Sequence, residues 1–343
     1  MIDKGEIFIN KKIWNTYSEK EMNEFIDKVF RYFREKGFPY YSTDREFRDK
    51  EFKKLKEFDL NRIIQKIDNR ISFTQSMHGL ALSWSYFPHS WEIPCNGFKL
   101  TPLLAFNNDE IFRRVIIKRI KMGDNISESG IRKMLKIYSG VQSVSNFRPS
   151  VAGAIYNMFI ENSELDRILD MSSGFGGRLF GFIISKAKNY IGLEPSSKTY
   201  LGLQEIKEDY GKGKNIELIK VGSEEYTPEK DSLDLCFTSP PYFNNEMYSD
   251  EPTQSYVKYP DKNNWINNFL KRTFQNCFYG LKKNKFMLIN IANVKSFPNL
   301  EDECIKVAEE VGFKLVDSMN YFQSSLSHKV KFKSEPIFIF KKF

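Results

Sequence analysis

A chain of 343 residues, 41% of them hydrophobic, with 31 Phe and 17 Tyr, holds enough apolar material for a large core; this excludes a disordered chain and suggests two domains. The net charge of +8 is unevenly spread, with 26 Lys and Arg against 19 Asp and Glu in residues 1–140 and 26 against 25 in the rest. A basic front half points to a polyanionic partner there. Four scattered cysteines (Cys95, Cys236, Cys277, Cys304) show no metal spacing, the opening MIDKGEIFINKK is no signal peptide, and no apolar run reaches the roughly 18 residues of a membrane span. A cytoplasmic protein with reduced, buried thiols, no bound metal and no membrane segment is expected.

Residues 1–140 read as mainly helical. In YSEKEMNEFIDKVFRYFREKG, Ser18 and Glu21 occupy capping-box positions and Gly37 is a stop. FKKLKEFDLNRIIQKIDNRI (52–71) is a second helical stretch with some strand character. Residues 72–106, rich in Gly, Pro and aromatics without a period, predict ordered irregular structure packed by Trp84, Phe87 and Trp91. NDEIFRRVIIKRIKMG and NISESGIRKMLKIYSG follow as two helices broken at Gly123, the second ending near Gly140.

From about residue 141 the period changes. Short apolar runs at 167–171, 189–194, 216–221, 233–238, 285–292, 313–322 and 336–342 read as strands, with helices over 178–187, 197–210, 264–280 and 300–311. Such alternation means a mostly parallel sheet covered by helices on both faces. The last two strands are joined too closely for a helix and should pair antiparallel. Asn299 and Gly312 bracket the last helix as caps.

The first of these strands runs into ILDMSSGFGGRLFG, which puts Ser172, Gly174, Gly176 and Gly177 in a turn before a helix. In a doubly wound sheet that turn lies at the carboxyl edge, where ligands bind and glycines admit close approach. Asp170 ends the strand, placed to meet a polar or cationic group. Glu194 ends the next strand about 20 residues on, a common place for an acceptor of ribose hydroxyls. The nicotinamide fingerprint fits poorly, because its third glycine position is Leu179.

The fourth strand ends in TSPPYF, two prolines between a hydroxyl and an aromatic side chain (Thr238–Phe243). Proline lacks an N–H and fixes φ, so the corner is stiff and rich in acceptors. With the glycine turn, Ser239-Pro240-Pro241-Tyr242 resembles the S-adenosylmethionine-dependent methyltransferases that act on exocyclic amino groups of DNA bases. The resemblance covers roughly 145–343. It implies an α/β fold, a Rossmann-like seven-stranded class I methyltransferase sheet (141–343); the recognition region such enzymes often carry between or after the motifs has no room here, which leaves the mainly helical, basic residues 1–140 or the loop 244–264 to read nucleic acid. The resemblance implies Ser239, Pro240, Pro241 and Tyr242 as catalytic. The Ser239 hydroxyl and Pro240 carbonyl would accept hydrogen bonds from an amino group, and Tyr242 would stack on a base drawn from the duplex. Phe147 and Pro149 would flank the cofactor's methionine part, with Asp170, Ser172, Gly174, Gly176, Gly177 and Glu194 around it and Ser223 and Glu224 near its adenine. Thr238 and Phe243 would touch substrate. Serine in the first position is more typical of cytosine-N4 than of adenine-N6 enzymes. The implied partner is DNA, with RNA not excluded and a cognate restriction nuclease compatible; oligomeric state is open.

Other features carry less. Cys95 in IPCNG lies before the glycine turn, where a cytosine-C5 nucleophile does not belong. Residues 109–138 match a helix–turn–helix imperfectly. His78 and His89 lack metal partners in sequence, and Trp84, Tyr86 and Trp91 read as core. The loop 244–264 could close over a base, and SHKVKFK (327–333) could touch phosphates. An RNA or protein-glutamine amino-methyltransferase and a non-catalytic DNA-binding protein of the same fold remain alternatives.

Overall fold

The computed structural model describes residues 2–138, 141–322 and 334–343. Its contacts separate two units, Met1–Tyr41 with Pro88–Val144, and Ser42–Phe87 with Ser145–Phe343. The smaller unit is helical. The helix Glu19–Lys36 starts on the expected capping box, Ser18 with Glu21, and stops at Gly37 at a φ of 82°. Asp109–Lys121 and Glu128–Tyr138 complete its main helices. Phe25, Val29, Phe33, Phe112, Ile116 and Leu135 form its core. Trp91 is buried there, while Cys95, a free thiol, is buried rather than presented.

The larger unit is built on one nine-stranded sheet: β1 (Ile64–Ile67), β2 (Arg70–Phe73), β3 (Arg167–Asp170), β4 (Asn189–Leu193), β5 (Asn215–Ile219), β6 (Leu233–Thr238), β7 (Leu281–Asn290), β8 (Lys314–Phe322) and β9 (Ser334–Lys341), in spatial order β1-β2-β8-β9-β7-β6-β3-β4-β5. The expected Rossmann-like seven strands are β3 to β9. β3 to β7 run parallel, and β9 pairs antiparallel with both β7 and β8. Side chains alternate between the faces. Leu169, Ile191, Cys236 and Met287 meet Trp265, Phe274 and Leu300 of the C-terminal helices on one face. On the other, Tyr190 packs on Phe182, and Phe237 on Tyr156. Helices therefore cover both faces, as a parallel sheet requires.

Two expectations need correction. Residues 42–87, assigned to the N-terminal region, fold with the sheet. The stretch 52–71 is not one helix: a helix (Arg45–Lys56) and a 3₁₀ turn (Leu60–Ile63) lead into the β1–β2 hairpin. Asp68 and Asn69 have φ of 49° and 62°, as a two-residue hairpin turn demands, and β2 then adds parallel to β8. The Asp-Asn pair between two short Ile-containing runs was the readable signal. The last helix, Leu300–Val311, stops at Gly312 as expected (φ 116°), but the Asn299 side chain makes no cap. Asn293 instead accepts from the Glu301 N–H (2.9 Å) while Glu301 accepts from the Asn293 N–H (3.0 Å).

The helix Pro149–Phe159 lies against Gly177–Ile184 so closely that a Cβ at Gly181 would stand 2.7 Å from both the Gly153 nitrogen and the Pro149 oxygen. Helix propensity favours alanine by about 1 kcal/mol, but overpacking costs about 1–3 kcal/mol. Backbone cannot yield as a flexible side chain does, so Gly181→Ala should lower the thermal midpoint. A midpoint raised by the substitution would show that the two helices can separate at no cost.

Candidate functional site at the carboxyl edge of the sheet

β3 leads into a turn in which Gly174 and Gly176 both take left-handed φ (55° and 71°). The Ser173 N–H donates to the Leu193 carbonyl of β4 (2.8 Å), which keeps the turn on the sheet. Phe175 is buried between Trp84 and Phe87, and its carbonyl accepts from Asn146 Nδ2 (2.9 Å) and from Ser83 Oγ. Trp84 and Tyr86 are thus core, as read from sequence. A Cβ on Gly177 would collide with the Phe147 carbonyl; one on Gly174 would meet only the Ser172 oxygen at 3.7 Å. Gly177 makes room for the chain, whereas Gly174 faces open space.

Asp170 lies where expected, and the cation it meets is the chain's own Arg178. Arg178 Nε donates to Asp170 Oδ2 (2.9 Å), Tyr190 OH donates to the same oxygen (2.8 Å), and the Ser172 N–H and Thr238 Oγ1 donate to Oδ1 (3.2 Å each). Both members of the pair are buried. The Asp170 carboxylate is held within the protein rather than offered to a ligand.

Glu194 is also buried, but without a cation. It accepts from the Gly174 N–H (3.0 Å) and the Ser196 N–H (2.9 Å), and burial raises its carboxyl to about 7 against those bonds. In the segment after β5, Ser223 bonds Thr273 (2.8 Å), and Asn276 Nδ2 donates to the carbonyls of Ser223 (3.0 Å) and Glu224 (3.2 Å). Lys258 Nζ reaches Glu224 Oε1 (2.9 Å), while Glu224 Oε2 is buried with no hydrogen-bond partner. An orphan carboxylate oxygen at a sheet edge is an acceptor awaiting a donor.

The corner follows β6, the strand hydrogen-bonded to β3, so the glycine turn and the corner are neighbours on one edge. Ser239 is partly exposed and Pro240 buried; Pro241 and Tyr242 are half-buried. Tyr242 OH donates to Glu335 Oε2 (3.2 Å) and lies 3.5 Å from the Asn290 carbonyl. Burial first, then the Glu335 charge, hold the phenol well above its usual range, with the Ser239 hydroxyl acting in the other direction. Thr238 and Phe243, expected against substrate, are corrected. Thr238 is fully buried and faces Asp170, and Phe243 is buried against Trp265 and Phe297. They position the corner. Phe147 and Pro149 flank the glycine turn, but the Phe147 ring stacks on Tyr321 (4.8 Å), and Pro149 opens its helix and adjoins Gly79.

Sequence reasoning missed Arg178, Glu335, Glu246 and the anchoring of the loop after the corner. Arg178 was detectable, since a cation in the first turn of a helix opposes the helix dipole and calls for an anion. Glu335 was not, because only the β7–β9 register brings it near. Glu246 accepts from the Ser145 N–H (2.9 Å) and from Tyr248 OH (2.5 Å). The loop is tied along the same edge by Glu251, which accepts from the Ser197 N–H (3.0 Å), by Thr253 to the Pro195 carbonyl (3.1 Å), and by Lys258. SHKVKFK (327–333) lies outside the described residues. Among the described residues no cluster of His, Cys, Asp or Glu could hold a metal, and no helix is long and apolar enough to cross a membrane.

The raised Glu194 carboxyl sets a pH dependence. Unfolded, it releases its proton near 4.5; folded, near 7. Its ionisation therefore favours the unfolded chain, costs nothing below pH 4.5, grows between 4.5 and 7, and levels off above, at on the order of 3 kcal/mol. Glu194→Gln should flatten the decline of stability across that window in denaturant titrations. An unchanged slope would mean that Glu194 ionises normally.

No family model matches the chain, and no curated protein matches it. Solved structures similar to it include a SAM-dependent O-methyltransferase from Thermotoga maritima, with 15% identity over 58% of this chain and 68% of that one and a TM-score of 0.40. Others are the tRNA (m1A58) methyltransferase of Aquifex aeolicus, with 13% identity over 58% and 70% and a TM-score of 0.40, and a putative RNA methyltransferase from Pyrococcus horikoshii, with 14% over 57% and 82% and a TM-score of 0.37. Such values are too low to transfer an activity or a substrate, and the fold rests on the strand order itself.

Proposed function

We propose that this chain methylates the exocyclic amino group of a base in DNA, cytosine-N4 ahead of adenine-N6, using S-adenosylmethionine. The observation that carries this reading is the adjacency of two motifs. The glycine turn after β3 and Ser239-Pro240-Pro241-Tyr242 after β6 stand side by side at one sheet edge. Separately, each would be weak.

The residues at the edge suit such a cofactor. Gly174 leaves open space, Glu194 presents a buried carboxylate for hydroxyl donors, and Glu224 Oε2 is an acceptor without a partner. S-adenosylmethionine offers two ribose hydroxyls and an adenine amino group, and when bound it supplies an electrophilic methyl group. Glu194 would hold the ribose and Glu224 the adenine, with Ser172, Ser223, Gly176 and Gly177 shaping the walls. Asp170 supports the turn from beneath.

The corner's own work is to prepare the amino nitrogen. Its lone pair is delocalised into the base until its two hydrogens find acceptors that favour a tetrahedral geometry. The partly exposed Ser239 hydroxyl and the Pro240 carbonyl are such acceptors, and Pro241 stiffens them. Fixed acceptors need no reorganisation as charge develops. The half-buried Tyr242 ring is held by Glu335 and can bear a flipped base. The helical unit carries 17 Lys and Arg against 12 Asp and Glu, and we assign it contact with the phosphate backbone.

Ser239→Ala should reduce turnover by about 100- to 1,000-fold, in the range of losing one pre-organised hydrogen-bond partner, with cofactor affinity within twofold of wild type by calorimetry. Transfer of labelled methyl to DNA, RNA and protein side by side identifies the acceptor, and base-resolved sequencing of DNA from expressing cells identifies the base. Label confined to RNA or protein would overturn the DNA reading; no binding of S-adenosylmethionine would overturn enzymatic methyl transfer itself.

A further inference from the structure

We propose that Arg178 is a positioning residue that holds the glycine turn and the Ser239 corner at one fixed separation, through Asp170 and Thr238. This rests on the function proposed above and assigns a role to a residue that touches neither substrate nor cofactor in it.

The guanidinium fork joins three places at once. Its Nε bonds Asp170 Oδ2 at the end of β3 (2.9 Å). Its Nη2 bonds the Ser172 carbonyl inside the glycine turn, and the same nitrogen lies 3.4 Å from Thr238 Oγ1, one residue before Ser239. Thr238 closes the ring by donating to Asp170 Oδ1 (3.2 Å). The rings of Phe147 and Phe237 stand 5.8 Å and 6.0 Å from the guanidinium carbon and keep water away. Burial works against the Arg178 charge, and the Asp170 carboxylate outweighs it.

A buried ion pair is a poor device for stability, because desolvation offsets the attraction and apolar residues of similar size commonly do as well. Its geometry is another matter. A planar fork with fixed donor directions sets distances that an apolar plug would leave loose. The two segments it joins are those that would carry the methyl donor and the acceptor nitrogen. Reacting groups must meet within a narrow range, and a displacement of about 1 Å can cost about 100-fold in rate.

Arg178→Lys keeps the charge and loses the fork; Thr238→Val keeps the volume and loses the hydroxyl. For Arg178→Lys, kcat should fall about 30-fold with the nucleic-acid KM within twofold, and the affinity for S-adenosylmethionine alone, by calorimetry, should fall about fivefold through the Ser172 carbonyl. Thr238→Val should lower kcat about fivefold with the nucleic-acid KM within twofold, while the thermal midpoint falls modestly because buried Asp170 Oδ1 loses one donor. The double variant should be no worse than Arg178→Lys, since residues acting as a unit are not additive. Wild-type kcat and cofactor affinity in Arg178→Lys would overturn the proposal, as would strictly multiplicative losses in the double variant. If Arg178→Lys fails to fold, Thr238→Val decides, and its full activity overturns the proposal. If the wild type binds cofactor but methylates no nucleic acid, the substrate reading fails instead, and the calorimetric comparison still decides the role of Arg178.

Discussion

The site depends on a steric constraint: the segment leading into Pro149–Phe159 lies on the glycine turn with no room for a side chain between them. Gly177 has the Phe147 carbonyl where a Cβ would stand, and Gly181 has the backbone of Pro149 and Gly153. Once that contact forms, Asn146 reaches the Phe175 carbonyl and fixes the turn, and the Phe147 ring lands on Tyr321 of β8. Ser145 meets Glu246 in the loop after the corner. One close approach thus connects the turn, a distant strand and the corner's own loop. Gly177 and Gly181 are needed by the protein's own packing, whereas Gly174 faces open space.

Four acids stand along this edge, and the protein treats each differently. Asp170 has a guanidinium and three further donors, and is closed to anything else. Glu194 has two backbone N–H groups and no cation, so burial raises it. Glu224 has Lys258 on one oxygen and nothing on the other. Glu246 is raised by burial, against donors from Tyr248 and Ser145. The sequence of treatments runs from fully satisfied beneath the turn to partly satisfied at the rim. Glu224 Oε2, in the segment after β5, is left with no partner, while Glu194, directly after β4, is met only by backbone N–H groups.

Much of the sheet was legible because β3 to β9 are apolar runs punctuated by Gly, Pro and Asn, with helices between most of the parallel ones and a connection too short for a helix before the antiparallel last strand. The helix over 197–210 was placed to the residue, with Thr199, Gly202, Leu203, Ile206 and Tyr210 forming its buried side. What escaped depends on pairings between residues far apart in the chain. The β1–β2 hairpin was hidden by helical residues before it, and its place beside β8 is set by register alone. At the site, motif residues were found, but their orientation was not. Thr238 and Phe243 belong to the same hexapeptide as Ser239 and Tyr242, but Thr238 ends a strand buried along its whole length, and a φ of 55° turns the Phe243 ring onto Trp265 and Phe297. Glu335 lies 93 residues from Tyr242 and entered through the antiparallel β7–β9 pair.

Phe243 shows how the corner keeps its shape. Its φ of 55° is one that a bulky L-residue adopts at a cost on the order of 1–3 kcal/mol, unlike the two glycines across the edge. Strain of that size persists only where the surroundings over-determine it. Here the ring is buried between Trp265 and Phe297, and burying a phenylalanine contributes about as much as the strain costs. Pro240 and Pro241 fix the backbone ahead of it, and the Thr238 hydroxyl bound to Asp170 fixes the residue before Ser239. Relaxing Phe243 to an ordinary φ would withdraw the ring from its pocket, so the corner has one conformation rather than several. Rigidity at Ser239 is therefore enforced from both sides: by the Asp170–Arg178 pair upstream, and by a strained, deeply seated ring downstream.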